Sequence, residues 1–146
     1  MMRSAAALLL LCCLTSCMDE RVRRLRSLEL SQAGDAIALN IAAIQRRDVE
    51  AYLAGYLDSP DLIVAGADSL RRGYFLFAEA RRASEEWPDA LTAGEPTLVW
   101  IAPGVVWGAF EFAAVAGSDT ARGWSERLVV KTSQGWKIAV TGTMQR

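Results

Sequence analysis

The chain has 146 residues, enough for one domain around a single core, and its 16 basic and 17 acidic side chains leave a formal charge of −1. So balanced a surface argues against a nucleic-acid partner, which requires a basic face. Histidine is absent, which removes the commonest general base and the commonest metal ligand together. No metal site and no cofactor are expected, and any catalysis would rest on Asp, Glu, Tyr, Lys or an activated hydroxyl.

In chain order, Met1 to Arg3 form a short positive start, Ala5 to Leu14 an unbroken apolar run, and Thr15-Ser16 a pair of small residues. This is the pattern of a secretory signal, and the run is too short for a permanent span, which takes about 20 apolar residues. The only three cysteines, Cys12, Cys13 and Cys17, lie in or beside it. With no cysteine or histidine downstream they cannot make a metal site. Leu14-Thr15-Ser16-Cys17 resembles a bacterial lipobox. The resemblance implies a diacylglycerol on the Cys17 sulfur and cleavage just before it, so residues 1–16 are expected to leave as a lipoprotein signal peptide. Two or more acyl chains give stable anchoring to a membrane. Met18, rather than Asp, after the cysteine resembles lipoproteins sent to the outer membrane, so the periplasmic face of that membrane is the expected location. Residues 17–33 are expected to be a lipidated tether. Its Arg21, Arg23, Arg24 and Arg26 either rest on anionic headgroups or line a solvated helix face.

From Ser31 the pattern turns helical, with Ile37, Ile41 and Ile44 on one stripe. Asp48 is an N-cap candidate for a shorter helix through Val49, Tyr52, Leu53 and Tyr56. Leu62 to Val64 read as a strand and Leu70 to Arg72 as its return. Gly73 opens a third helix whose expected stripe is Phe75, Leu76, Ala80, Ala83 and Trp87, stopped by Pro88. After Gly94 the period becomes two. Strands are expected over Thr97–Ala102, Val105–Ala116, Gly123–Thr132 and Trp136–Thr143, joined by short turns into an antiparallel meander. Helices followed by strands make an α+β domain with about three helices on one sheet face.

The segments RRDVEAYLAGY, RRGYFLFAEA and RLVVKTSQGWKIAV, in this order and spacing, resemble the SnoaL-like branch of the nuclear transport factor 2-like superfamily over roughly residues 34–146. That resemblance implies a cone: a curved antiparallel sheet wrapped against helices, a pocket at the open end, and a homodimer through the outer sheet face. The acid-base constellations of the superfamily's isomerases, dehydratases and hydrolases have no counterpart here residue by residue.

Strand alternation sorts the faces. Trp124, Glu126, Leu128 and Val130 share one side of their strand and, being mostly apolar, are expected to face the helices. Trp136, Ile138 and Val140 are expected to do the same on the last strand. Glu126 would then sit inside, either ion-paired with Arg122, Arg71 or Arg72, or neutral with a raised pKa and available as a general base. Glu111 shares a face with Trp107 and raises the same question more weakly. The pocket-lining candidates are Trp100, Trp107, Trp124 and Glu126 from the strands and Tyr52, Tyr56 and Tyr74 from the helical side. Two function classes follow. One is a lipid-anchored, non-enzymatic module that binds a small apolar ligand, a second copy or an envelope protein. The other is an envelope isomerase, dehydratase or hydrolase with Glu126 as base.

Overall fold

The computed structural model describes residues 3–66 and 69–146, with side chains placed from Glu20 onward. The signal-peptide and lipid-anchor expectations, Cys17 included, therefore fall on side chains outside the described residues. The elements are α1 (Arg3–Gln45), α2 (Val49–Ala54), β1 (Ile63–Ala65), β2 (Leu70–Arg72), α3 (Tyr74–Ala83), β3 (Ala90–Ala93), β4 (Thr97–Ala102), β5 (Val105–Ala116), β6 (Asp119–Thr132) and β7 (Gly135–Gln145).

No break separates a tether from the first helix. Residues 19–31 hold neither Gly nor Pro and are rich in Arg, Leu and Glu, all good helix formers, so α1 runs straight through them. It meets the sheet earlier than the boundary expected at Gly34. Glu29 is already buried, its Oε2 accepting from the Trp100 indole at 2.8 Å and the Gly104 amide at 2.9 Å. Lys131 Nζ stands 3.9 Å from the other oxygen. Hydrogen bonds from Gly104 and Trp100 hold the Glu29 carboxyl below its ordinary pKa, with burial opposing and Lys131 assisting. From there Ala33 and Ile37 pack on Val106, Phe110 and Val129. Gly108 permits this close approach, since a Cβ there would stand 2.9 Å from both Ile37 Cδ1 and Leu98 Cδ2.

The chain turns through Arg47, in the left-handed region at φ 56°, and Asp48 caps α2 by accepting from the Ala51 amide at 3.0 Å. Gly73, at φ 93°, opens α3. The stripe of α3 differs from expectation. Phe77 and Ala78 are buried against Leu53, Tyr56, Leu62 and Ile138, whereas Phe75 and Leu76 are 73% and 67% exposed. Four consecutive apolar residues, Phe75 to Ala78, leave the phase of so short a helix open. Trp87 lies beyond the helix and stacks edge-on to Tyr52, centroids 5.7 Å apart.

The sheet has seven strands. The expected meander β4-β5-β6-β7 is present, each strand antiparallel to the next. Two features depart from a simple antiparallel sheet. β3 pairs with residues 112–115 of β5, beyond the stretch taken by β4 on the same edge. β1 joins β7 in parallel, so the sheet is mixed and open, running from β2 at one edge to β3 and β4 at the other.

Faces are the main correction. Ser125, Arg127 and Val129 of β6 are buried toward the helices, so the alternate residues Trp124, Glu126 and Leu128 occupy the outer face. Glu126 is exposed and Trp124 half-buried there. The register carries the pattern to β5, where Trp107 and Glu111 stand opposite Leu128 and Trp124 on the outer side. On β7 the pairing shifts between Leu128 and Val129. That bulge inserts one residue, so Ile138 and Thr141 both point inward and Val140, paired with Leu128, points out.

Candidate functional site

The open end of the cone is built where α1, α2, α3 and the β1–β2 hairpin meet the middle of β6 and β7. A cavity of about 330 Å³ lies there, walled by Ile44, Val64, Phe77 and the Tyr52 and Tyr56 rings, with Arg127 and Thr141 at its base and Arg71 at its rim. A second space of about 150 Å³ adjoins it through Ile44, Arg127 and Thr143 and runs toward Phe110, Phe112 and Ser125. Among the described residues no carboxylate lines either space.

Arg127 is 6% exposed. Its Nη1 donates to Asn40 Oδ1 at 2.7 Å and to the Tyr56 hydroxyl at 3.2 Å. Asn40 in turn donates to the Tyr52 carbonyl at 3.1 Å. The Tyr56 hydroxyl donates to that of Tyr52 at 2.8 Å. The polarity of this chain follows from proton counting. Tyr56 accepts from a guanidinium, which can only donate, and spends its single proton on Tyr52. The Tyr52 proton is left unspent. Burial, then the neighbouring Tyr56, push the Tyr52 hydroxyl well above its ordinary pKa, against the pull of Arg127 and Arg81. It remains a neutral donor. Its ring is fixed between Tyr56, Phe77 and Trp87.

The guanidinium is incompletely satisfied. Arg127 Nε is buried without a partner, as is Ser125 Oγ two residues before it. Among the described residues no ion pair involves Arg127. The nearest compensation is the Phe110 ring face, 5.5 Å from the guanidinium carbon. A buried cation is ordinarily paired, so this arrangement is unusual.

Of the residues singled out in the sequence, Tyr52 and Tyr56 line the cavity. Tyr74 packs on the edge of the neighbouring core. Trp100 faces inward, but its indole N–H is committed to Glu29 in the core. Trp107, Trp124 and Glu126 lie on the outer face, so an acid-base role for Glu126 inside the cone is ruled out by its position. Asn40, Ser125 and Arg127 were not singled out. Asn40 carried a readable sign, a polar residue between Ile37 and Ile41 on an otherwise apolar stripe.

This curved sheet around helices is the nuclear transport factor 2-like fold. The chain is similar to a nuclear transport factor 2-like protein of unknown function from Shewanella oneidensis, at 19% identity and a TM-score of 0.66 over 75% of this chain and 93% of that one. It is also similar to a ketosteroid isomerase-like protein from Erwinia carotovora atroseptica, at 19% identity and a TM-score of 0.69 over 80% and 95% of the two chains. A third similar structure is a nuclear transport factor 2-like superfamily protein from Salmonella enterica serovar Typhimurium, at 17% identity and a TM-score of 0.67 over 82% and 92%. No family model and no curated protein sequence matches the chain.

Proposed function

We propose that this protein is a lipoprotein of the bacterial envelope, anchored through Cys17 at the periplasmic face of the outer membrane, whose cone binds a small organic molecule without converting it. The observation that carries the binding reading is the cavity itself. About 330 Å³ of space lies between apolar walls and a polar base, within the size range of small-molecule sites. The lining supports binding rather than turnover. Its described polar side chains are two guanidiniums, hydroxyls and a tyrosine that stays protonated, none of which accepts a proton at neutral pH. Native mass spectrometry of protein extracted from membranes tests this. Delipidated protein should carry a small molecule or take one up from an envelope extract. Protein that stays bare in both conditions would contradict the reading.

Two further parts complete the proposal. The apolar leader and the lipobox support the anchor. Replacing Cys17 by Ser should release the protein from membranes, and continued membrane association would contradict the anchor. The outer sheet face supports a homodimer, since Val99 and Met144 are 40% and 56% exposed, paired with the half-buried Trp107 and Trp124 respectively. Sedimentation should give a dimer that Trp107→Glu dissociates. A wild-type monomer at micromolar concentration would contradict that part alone.

A further inference from the structure

We infer that the molecule held in this cavity is an organic acid, a carboxylate on a compact apolar body, gripped by the Arg127 guanidinium with the Tyr52 hydroxyl as a second donor. The inference deepens the small-molecule reading and rests on it.

Four observations converge. First, Arg127 keeps a full positive charge 6% exposed, and among the described residues it has no ion-pair partner. Taking an uncompensated charge out of water is costly unless something of opposite sign joins it. Second, the contacts it does make use one nitrogen only, Nη1, and both go to neutral groups. Nε has no partner, and a guanidinium presents its donors as a planar fork that matches the two oxygens of a carboxylate. Third, the hydrogen-bond chain from Arg127 through Tyr56 ends at Tyr52, whose hydroxyl has a proton to give and lines the same cavity. Fourth, the described lining holds no Asp or Glu to repel an anion, and Arg71 adds a second cation at the rim.

The remaining walls define the rest of the ligand. Val64, Phe77 and Ile44, with Phe110 and Phe112 in the adjoining space, present apolar surface to the body of the ligand, with the Thr141, Thr143 and Ser125 hydroxyls among them. One guanidinium at the base, with the second only at the exposed rim, suits a singly charged carboxylate better than a phosphate, which is commonly met by several N–H groups at a helix N-terminus.

Isothermal titration of the full chain carrying Cys17→Ser, with 1-naphthoate and octanoate each beside its primary amide, tests this. The acids should bind at least about tenfold more tightly than the amides, as expected for a charge-assisted hydrogen bond replacing a neutral one. Arg127→Gln should remove that advantage while leaving the amides within about twofold. Tyr52→Phe should weaken the acids by about threefold or more, and the amides, which lose only a neutral hydrogen bond, by less. Should Arg127→Gln not fold, the acid-to-amide ratio of the parent chain and Tyr52→Phe decide the matter. Amides binding as tightly as acids, or Arg127→Gln weakening both alike, would overturn the carboxylate assignment while leaving the cavity reading intact. Binding of neither class would overturn the cavity reading and this inference with it.

Discussion

Glu126 and Arg127 are consecutive residues of one strand, one acidic and one basic, and the fold treats them oppositely. Glu126 faces water on the outer side of the sheet, where its charge costs nothing to solvate. Arg127 is 6% exposed beneath three helices and sits among tyrosines, an asparagine and a phenylalanine. Composition differs between the two sides as well: beside Glu126 the outer side of β6 carries Trp124, Leu128 and Val130, and beside Arg127 the inner side carries Ser125, Val129 and Lys131. The more apolar face is the outer one. Such an inversion fits a sheet whose interior surrounds a polar-based cavity rather than a sheet that simply covers a core.

Four substitutions separate these two faces, in decreasing order of effect. Gly108→Val presses a branched side chain into Ile37 and Leu98 on the inner side, and should destabilise the fold by about 3 kcal/mol in chemical denaturation. An effect under about 1 kcal/mol would mean α1 does not seat where described. Glu29→Gln should cost about 2 kcal/mol at neutral pH, since two hydrogen bonds to a buried charge weaken together. Because the folded-state pKa of Glu29 is depressed, its stabilisation is present above the unfolded value and is lost as pH falls through the folded one. The difference between parent and variant, followed by urea melts from pH 7 downward, should therefore shrink below about pH 4. Arg127→Met removes a buried cation that has no ion pair among the described residues but leaves the buried Asn40 Oδ1 without its donor, so the two effects should offset and the ligand-free protein should change by no more than about 1 kcal/mol, or about 3 °C in Tm. A loss well beyond that would indicate that the hydrogen bonds to Asn40 and Tyr56 are the main role of Arg127. Glu126→Ala should change stability by no more than about 0.5 kcal/mol and leave ligand affinity untouched, as measured by the same melts and titrations.

Much of the fold was readable because local chemistry dictated it. Asp48 could be recognised as a cap and Gly73 as the point where α3 opens. The turns at Pro103-Gly104 and Ser133 to Gly135 marked the meander, and the bounds of β4 and β5 matched expectation to the residue. What resisted reading depended on distant partners. The parallel pairing of β1 with β7 joins segments about 75 residues apart, and no local pattern announces it. β3 is short and lies along an edge already shared with β4. Residues 19–31 are continuous with α1 because their propensity for helix is high.

For the site, the tyrosines of the helical side were legible and the strand contribution was not. Assigning the more apolar face of β6 to the interior is sound for a sheet with a dry core, but it fails where that interior must present Ser125, Arg127 and Thr141 to a cavity. The bulge opposite Leu128 and Val129 then hid the error on β7, since Ile138 does face inward while Val140 does not. Asn40 was the remaining clue: a polar residue on the buried stripe of α1 calls for a polar partner across the interface, and that partner is Arg127.

The central claim is the orientation of β6, and thiol reactivity tests it most directly. In a full chain with Cys12, Cys13 and Cys17 changed to Ser, Glu126→Cys and Val129→Cys are introduced separately and their reaction with a small maleimide is timed under native conditions. Val129 shares the inner face with Arg127 but lies in the core, away from the cavity. The thiol at position 126 should react at close to the rate of the unfolded chain, and the thiol at 129 at least about a hundredfold more slowly, reporting an opening of some 2.7 kcal/mol or more. The reverse order, with position 129 accessible and position 126 protected, would contradict the account.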